Sequence, residues 1–127
     1  MSGKVVHFEI PFEDGERARS FYGDVFGWEL MHLPEMSYTM VTTGPTDPGA
    51  GPTETGFING GMLERDADFT GPNLVLETNQ IEESLAAITA AGGTVVRERM
   101  PVGDMGFAAY FRDTEGNLVG LWESAAG

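Results

Sequence analysis

The 127-residue chain contains no cysteine, few basic residues and no long apolar run. The absence of cysteine excludes disulfide bridges, thiolate metal sites and cysteine nucleophiles. Seven Lys and Arg stand against 20 Asp and Glu, so the formal net charge is −13. Because a field of this sign repels polyanions and anionic lipid surfaces, we expect neither nucleic acid nor a membrane as a partner.

The chain also lacks a recognisable targeting or membrane-spanning segment. Its first residues carry one lysine and then two valines, which is far short of the apolar core of a signal peptide. No run approaches the roughly 20 apolar residues that cross a bilayer. We therefore expect a cytoplasmic protein with a single domain over residues 1–127.

The first half of the chain alternates between two hydrophobic periods. Residues 5–12 have the period of two that is typical of a half-buried strand, and residues 14–26 have the three-and-four spacing of an amphipathic helix. Asp14 is a candidate N-cap of this helix and Gly27 a candidate residue for its end. Further strands are predicted over residues 28–33, 38–43 and 57–63, with a Gly- and Pro-rich loop at residues 44–52.

The second half repeats this order. Strands are predicted over residues 73–78, 94–100, 107–112 and 118–123, and a helix over residues 80–91. A shift of 66 residues pairs Phe8 with Leu74 and Gly27 with Gly93, while the ends of the halves match at a shift of 60, which pairs Gly60 with Gly120. The sequence therefore predicts two βαβββ modules, at about residues 4–63 and 72–124.

The motifs in this order resemble those of the vicinal oxygen chelate superfamily, which contains glyoxalase I, bleomycin-resistance proteins, fosfomycin-resistance enzymes and extradiol dioxygenases. The segments that carry the resemblance are His7–Pro11, Glu16–Tyr22, Val25–Trp28 and Asp113–Leu118. The resemblance implies an α+β fold in which the curved sheets of two βαβββ modules enclose a cavity. It also implies a homodimer.

The resemblance further implies four positions for metal ligands, which fall here on His7, Gly60, Asn73 and Gly120. Of these residues, only His7 is a good ligand, because glycine has no side-chain donor and a divalent ion needs several His and carboxylate donors. We therefore predict no family metal site and no cofactor. An unorthodox divalent metal site built from neighbouring carboxylates is the disfavoured alternative.

Strand parity supplies further candidate site residues. Glu9 shares a strand face with His7, and Glu77 shares one with Asn73. His7 and Glu9 together form a candidate acid–base pair. Gly120 shares a face with Trp122, and Tyr110 lies opposite the core-facing Phe111. The predicted catalytic residues are therefore His7 and Glu9, and the predicted substrate-binding residues are His7, Asn73, Glu77, Tyr110 and Trp122.

Three functions from different classes remain open at this point, of which the third is a module that binds a partner protein through an exposed apolar patch. The first is a small-molecule-binding protein of the glyoxalase and bleomycin-resistance type that lacks the metal and holds an apolar or aromatic compound. The second is an enzyme, a lyase, isomerase or dioxygenase, that uses a substitute metal or the acid–base pair. No phosphate-binding loop, serine nucleophile elbow or zinc helix is present, so those chemistries are set aside.

Overall fold

The computed structural model describes residues 3–125, which form two compact units. We call residues 7–72 the N-terminal unit, and residues 73–125 together with residues 3–6 the C-terminal unit. Among the described residues, no helix is both long enough and apolar enough to cross a membrane.

The N-terminal unit follows the predicted order of strand, helix and three further strands. Its main elements are β1 (Val5–Phe12, of which residues 7–12 lie in this unit), α1 (Gly15–Phe26), β2 (Glu29–Leu33), β3 (Tyr38–Thr42), a small hairpin of β4 (Thr46–Asp47) and β5 (Gly51–Pro52), and β6 (Asn59–Glu64). The strand order is β2-β3-β6-β1, in which β1 is parallel to β6 and the other pairs are antiparallel.

Helix α1 begins and ends where its sequence predicts. The Asp14 carboxylate accepts a hydrogen bond from the Arg17 backbone N–H at 3.1 Å, which satisfies one of the donors left unpaired at a helix start. Gly27 ends the helix with a φ of 72°, a left-handed conformation that glycine adopts without a steric penalty. None of the residues of α1 is buried.

The C-terminal unit has the same order and the same pairing. Its elements are β7 (Asn73–Glu77), α2 (Ile81–Ala90), β8 (Thr94–Val102), β9 (Gly106–Arg112) and β10 (Leu118–Ser124). The strand order is β7-β10-β9-β8, with β7 parallel to β10. A core of five buried residues joins the helix to the sheet, and its members are Ile81, Leu85, Ala109, Phe111 and Leu121.

Helix α2 takes its cap from a distant strand. The side chain of Gln80 makes no capping hydrogen bond, and the carboxylate of Glu123 on β10 accepts from the Ile81 backbone N–H at 2.8 Å. Glu123 also pairs with Arg99 of β8 at 2.9 Å. Glu123 therefore lies on the helix side of the sheet.

Together, these elements confirm the α+β fold with two βαβββ modules. The hairpin of β4 and β5 lies within the Gly- and Pro-rich loop, where the sequence predicts no strand. That the sheets enclose a common cavity, and that the chain is a single domain, stay predictions.

The register of each unit corrects one residue of the predicted repeat. In the N-terminal unit Glu9 pairs with Gly61, and Gly60 pairs with Phe8, so Gly60 lies on the face opposite His7 and Glu9. In the C-terminal unit Gly120 pairs with Val75 and therefore shares a face with Asn73. The residue that corresponds to Gly120 is thus Gly61, because successive strand residues point to opposite faces.

Candidate functional site

The two faces of the N-terminal sheet differ in what covers them. On one face, Ile10, Phe12 and Met62 line a cleft together with Phe21 and Tyr22 of α1, so this face carries the helix. The opposite face, which we call the site face, presents residues of all four main strands, and those nearest its centre are His7, Glu9, Tyr38, Met40 and Gly61. The predicted catalytic residues His7 and Glu9 therefore lie together.

A tyrosine hydroxyl joins His7 to Glu9. The Tyr38 hydroxyl donates to Glu9 Oε2 at 2.9 Å, and the same oxygen lies 2.8 Å from His7 Nε2. The rings of His7 and Tyr38 are nearly parallel, with an interplanar angle of 16°. His7, Tyr38 and Glu9 thus form one hydrogen-bonded chain, which we call the polar triad.

The polar triad depends on the absence of a side chain at residue 61. A Cβ atom built on Gly61 would overlap the Tyr38 hydroxyl oxygen, so the phenol occupies the space into which a side chain would project. This explains why the chain has glycine there, on the β6 position that adjoins Glu9. A carboxylate at this position is incompatible with Tyr38 as it is placed.

The environment of the polar triad favours a neutral imidazole. Glu9 is only 4% exposed and His7 is half-buried. Burial lowers the pKa of His7 below its ordinary value, because the charged form loses solvation, and the negative charge of Glu9 opposes this shift in part. A neutral imidazole at pH 7 has one nitrogen that can accept a proton or a hydrogen bond.

Tyr38 is placed by an unusual turn just before it. Pro34–Met36 form a single turn of 3₁₀ helix, and Ser37 follows with a φ of 50°. Among the described residues it is the one non-glycine residue with a positive φ. Such a conformation costs about 1–2 kcal/mol for an L-residue and is often found beside functional groups. The turn makes Tyr38 the first residue of β3.

Sequence reasoning missed Tyr38 as a site residue. The available signal was the period of two along β3, which places Tyr38 and Met40 on the same face. Met40 pairs with Gly61, so this is also the face of Glu9. The period of β3 could be read from the sequence, but its register against β6 could not. Only the fold shows that the phenol reaches the adjacent strand.

The other predicted site residues lie in the C-terminal unit. Asn73, Glu77, Tyr110 and Trp122 share one sheet face, opposite the face on which Phe111 and Leu121 pack against α2. Asn73 is buried, and its amide donates to the Leu74 carbonyl at 3.3 Å. That these residues bind a ligand together with His7 stays a prediction.

Local packing restrains the two aromatic residues of this face. Tyr110 is buried, and its ring would lie 3.1 Å from a Cβ atom added at Gly120. The Trp122 indole would lie 2.7 Å from one added at Gly106. Both aromatic rings therefore pack over glycines of their own sheet, where no side chain separates the ring from the backbone.

The family's metal can be tested against these donors. His7 and Glu9 already bond the same hydroxyl through Nε2 and Oε2, and Gly61 supplies no donor. In the C-terminal unit, Asn73 offers an amide and Gly120 offers nothing. Within residues 3–125, no three His, Asp or Glu side chains are grouped so that they could hold a metal ion. Of the four family positions, only His7 offers a usual ligand of a divalent metal, and the absence of a metal site stays a prediction.

Comparison with known proteins gives consistent results. The bleomycin resistance protein-like N-terminal family model matches residues 4–44. A probable lactoylglutathione lyase of Vibrio parahaemolyticus is 28% identical over 124 residues, covering 94% of this chain and 90% of the relative. The lactoylglutathione lyase of Haemophilus influenzae is 26% identical over 125 residues, covering 95% and 93%.

Solved structures of the same fold are also similar. A methylmalonyl-CoA epimerase of Streptomyces coelicolor superposes with a TM-score of 0.67 at 19% identity, covering 98% of this chain and 99% of that one. The epimerase of Mycobacterium tuberculosis gives a TM-score of 0.62 at 18% identity, covering 97% and 88%. At these identities the likeness concerns the fold alone. Together, the family model, the relatives and the solved structures indicate the vicinal oxygen chelate, or glyoxalase, superfamily.

Proposed function

We propose that this protein binds a small molecule on the site face of its N-terminal unit, with the polar triad as the polar anchor and without a divalent metal. The single observation that carries the proposal is the Tyr38 hydroxyl, which bonds both His7 and Glu9 and fills the space beside Gly61. To bind His7 Nε2 and Glu9 Oε2, a metal ion would have to displace the Tyr38 hydroxyl, which already forms hydrogen bonds with both atoms.

The residues around the polar triad indicate the character of the ligand. Leu33, Met31, Met40 and Leu63 share the site face by strand register, which gives a polar centre with apolar neighbours. Met31 is 64% exposed. Small-molecule sites commonly combine an apolar surface with a few placed polar groups, and thioethers adapt to varied apolar shapes. We infer an apolar or aromatic ligand with one polar group.

Metal analysis tests the proposal directly. Protein purified without chelator or added metal should contain well under one equivalent of Zn, Ni, Fe or Mn per chain, and titration with Zn²⁺ or Ni²⁺ should give no site that depends on His7. His32→Ala is the matched control, since His32 is the other histidine and lies outside the polar triad. Close to one equivalent of metal that is lost in His7→Ala but kept in His32→Ala would overturn the proposal.

Ligand entry can be followed through tryptophan fluorescence. Trp122 is a predicted binding residue, and Trp28 contributes background from a stack with Tyr22 at 4.8 Å. In Trp28→Phe protein, a planar aromatic compound that calorimetry shows to bind should change the Trp122 emission. An unchanged emission would remove Trp122 from the predicted ligand site and leave the polar triad as the site to test.

A second candidate function is acid–base catalysis by the same residues. The observation that favours it is the lowered pKa of His7 beside the buried Glu9, which keeps a proton acceptor available at pH 7. The lactoylglutathione lyases among its relatives support an enzyme of this superfamily. If turnover of a bound compound persists in metal-free protein and is lost in His7→Gln, this candidate replaces simple binding.

A further inference from the structure

Tyr38 does more than connect two polar groups, because a phenol carries only one proton. Its hydroxyl donates that proton to Glu9 Oε2. The contact at 2.8 Å between the hydroxyl oxygen and His7 Nε2 is then a hydrogen bond only if Nε2 carries the hydrogen. The direction of one bond therefore sets the direction of the next.

This direction determines which nitrogen of His7 remains for a ligand. A neutral imidazole with a proton on Nε2 has a lone pair on Nδ1. Nδ1 makes no hydrogen bond to any residue within 3–125, and the His7 side chain is only half-buried. The nitrogen left for a ligand is thus an acceptor.

We propose that Tyr38 is a positioning residue that fixes His7 in the Nε2–H tautomer, so that the site selects ligands that donate a hydrogen bond to Nδ1 from a hydroxyl or N–H group on an apolar body. This inference rests on the proposed function and deepens it by naming the ligand class. Ser37 and Gly61 support it, since the left-handed turn delivers Tyr38 to β3 and the missing side chain gives its hydroxyl room.

Among residues 3–125, the hydrogen-bond partner of His7 Nε2 is the Tyr38 hydroxyl. On the site face, the titratable groups are His7 and Glu9 on β1, Tyr38 on β3 and Glu29 on β2, while β6 presents Asn59, Gly61 and Leu63. The Asn59 side chain is engaged with Thr43 and Thr46. Tyr38 is therefore the group that orients the imidazole in this unit.

The tautomer is tested first, on ligand-free protein. Two-bond ¹H–¹⁵N NMR spectra at pH 8 should show His7 as the Nε2–H tautomer in the wild type and a mixture of both tautomers in Tyr38→Phe. His32 is the internal reference, and its signals should be unchanged. A dominant Nδ1–H tautomer in the wild type, or an unaltered His7 signal in Tyr38→Phe, would overturn the positioning role.

The ligand class is tested with two probes of similar shape. Phenol can donate a hydrogen bond, whereas anisole, its methyl ether, can only accept one. Calorimetry on the wild type should show phenol binding roughly three- to tenfold more tightly than anisole, the range expected for one hydrogen bond. The preference should shrink in Tyr38→Phe, and the NMR spectra of that variant verify that it is folded.

Each outcome of the probe experiment has a distinct meaning. Equal affinities for phenol and anisole in the wild type, or no binding of phenol, would overturn the assigned ligand class. A preference that persists in Tyr38→Phe would overturn the role of Tyr38. Neither result bears on metal content, so failure of this inference is distinguishable from failure of the metal-free site, which the His7-dependent metal analysis decides.

Discussion

The two units share a topology but place their polar and apolar groups differently. At equivalent positions of the sheet, the N-terminal unit has His7, Glu9, Tyr38 and Gly61, and the C-terminal unit has Asn73, Val75, Ala108 and Gly120. Three residues of the first set, His7, Tyr38 and Glu9, form a hydrogen-bonded chain, and the second set has no residue that titrates near neutral pH. One copy of the repeat thus carries the acid–base groups.

The burial of the helices differs in the other direction, since the helix of the C-terminal unit is the more buried one. Helix α2 buries Ile81, Ser84 and Leu85 against its sheet, whereas α1 buries no residue and leaves Phe21 53% exposed. The aromatic residues of α1 contact one another, with Phe21 against Tyr22 at 5.1 Å between ring centroids. A repeated fold can therefore concentrate apolar burial in one copy and hydrogen-bonded polar side chains in the other.

The largest expected effect tests this difference between the helices. Leu85→Ala should lower the free energy of unfolding by about 2–5 kcal/mol, because it leaves a cavity in the core of the C-terminal unit. Phe21→Ala should cost about 1 kcal/mol or less, since much of that ring is already in water. Urea denaturation followed by circular dichroism measures both. Equal losses would contradict the unequal burial.

The second prediction compares the two equivalent glycines. Gly61→Ala should destabilise by about 1–3 kcal/mol, because the new methyl displaces the Tyr38 hydroxyl. Gly120→Ala should cost less than about 1 kcal/mol, since its nearest neighbours are side chains at 3.1 Å that can shift slightly.

A double-mutant cycle assigns the cause of the Gly61 effect. In a Tyr38→Leu background, the added methyl no longer meets a phenol, so the cost of Gly61→Ala should shrink. A cost that is unchanged in that background would place the conflict in the backbone of β6 instead of in the polar triad.

The third prediction concerns the caps of the helices. Asp14→Ala and Glu123→Ala should each destabilise by about 1 kcal/mol, with the larger loss for Glu123 because it also pairs with Arg99. Glu123→Gln keeps an oxygen acceptor and should lie between the wild type and Glu123→Ala. Thermal denaturation measures the order, and a larger loss for Asp14→Ala would contradict it.

The smallest effect is a pH dependence confined to the N-terminal unit. Since the folded-state pKa of His7 is lowered from 6.5, the unfolded chain takes up its proton first as pH falls. The contribution of neutral His7 to stability is therefore complete above pH 6.5 and is lost as pH falls toward the lowered value. The slope of unfolding free energy against pH should be smaller in His7→Gln than in the wild type.

The control for this slope is the equivalent residue of the C-terminal unit. Asn73→Ser should keep the wild-type slope, because asparagine does not titrate. The burial of His7 indicates that its imidazole is desolvated in the folded protein. A slope in His7→Gln equal to that of the wild type would contradict this desolvation.

Much of the fold could be predicted because its signals are local. The period of two in β1, the helical spacing after Asp14 and the glycine at residue 27 each depend on neighbours within a few positions. The repeat was visible because hydrophobic spacing is kept even where residue identity is not. The face shared by His7 and Glu9 follows from strand parity alone.

Strand pairing lies beyond such local signals. The sequence predicted that Gly60 is the residue of the first repeat equivalent to Gly120, whereas in the structure the equivalent residue is Gly61. The difference matters because a shift of one residue along β6 exchanges its two faces. Glu123 as the cap of α2 was hidden for a related reason, since 42 residues separate it from Ile81. Contacts between distant strands set these positions.

By itself, the sequence determined the elements, their order, the repeat and the absence of thiol chemistry, since each of these depends on composition or on residues close together in the chain. Only the tertiary structure decided what surrounds His7. The pairing of β3 with β6 brings Tyr38 over Gly61 and beside Glu9, 29 residues away along the chain. Hydrogen bonds between side chains so far apart exist only once the strands have paired, so no local pattern encodes them.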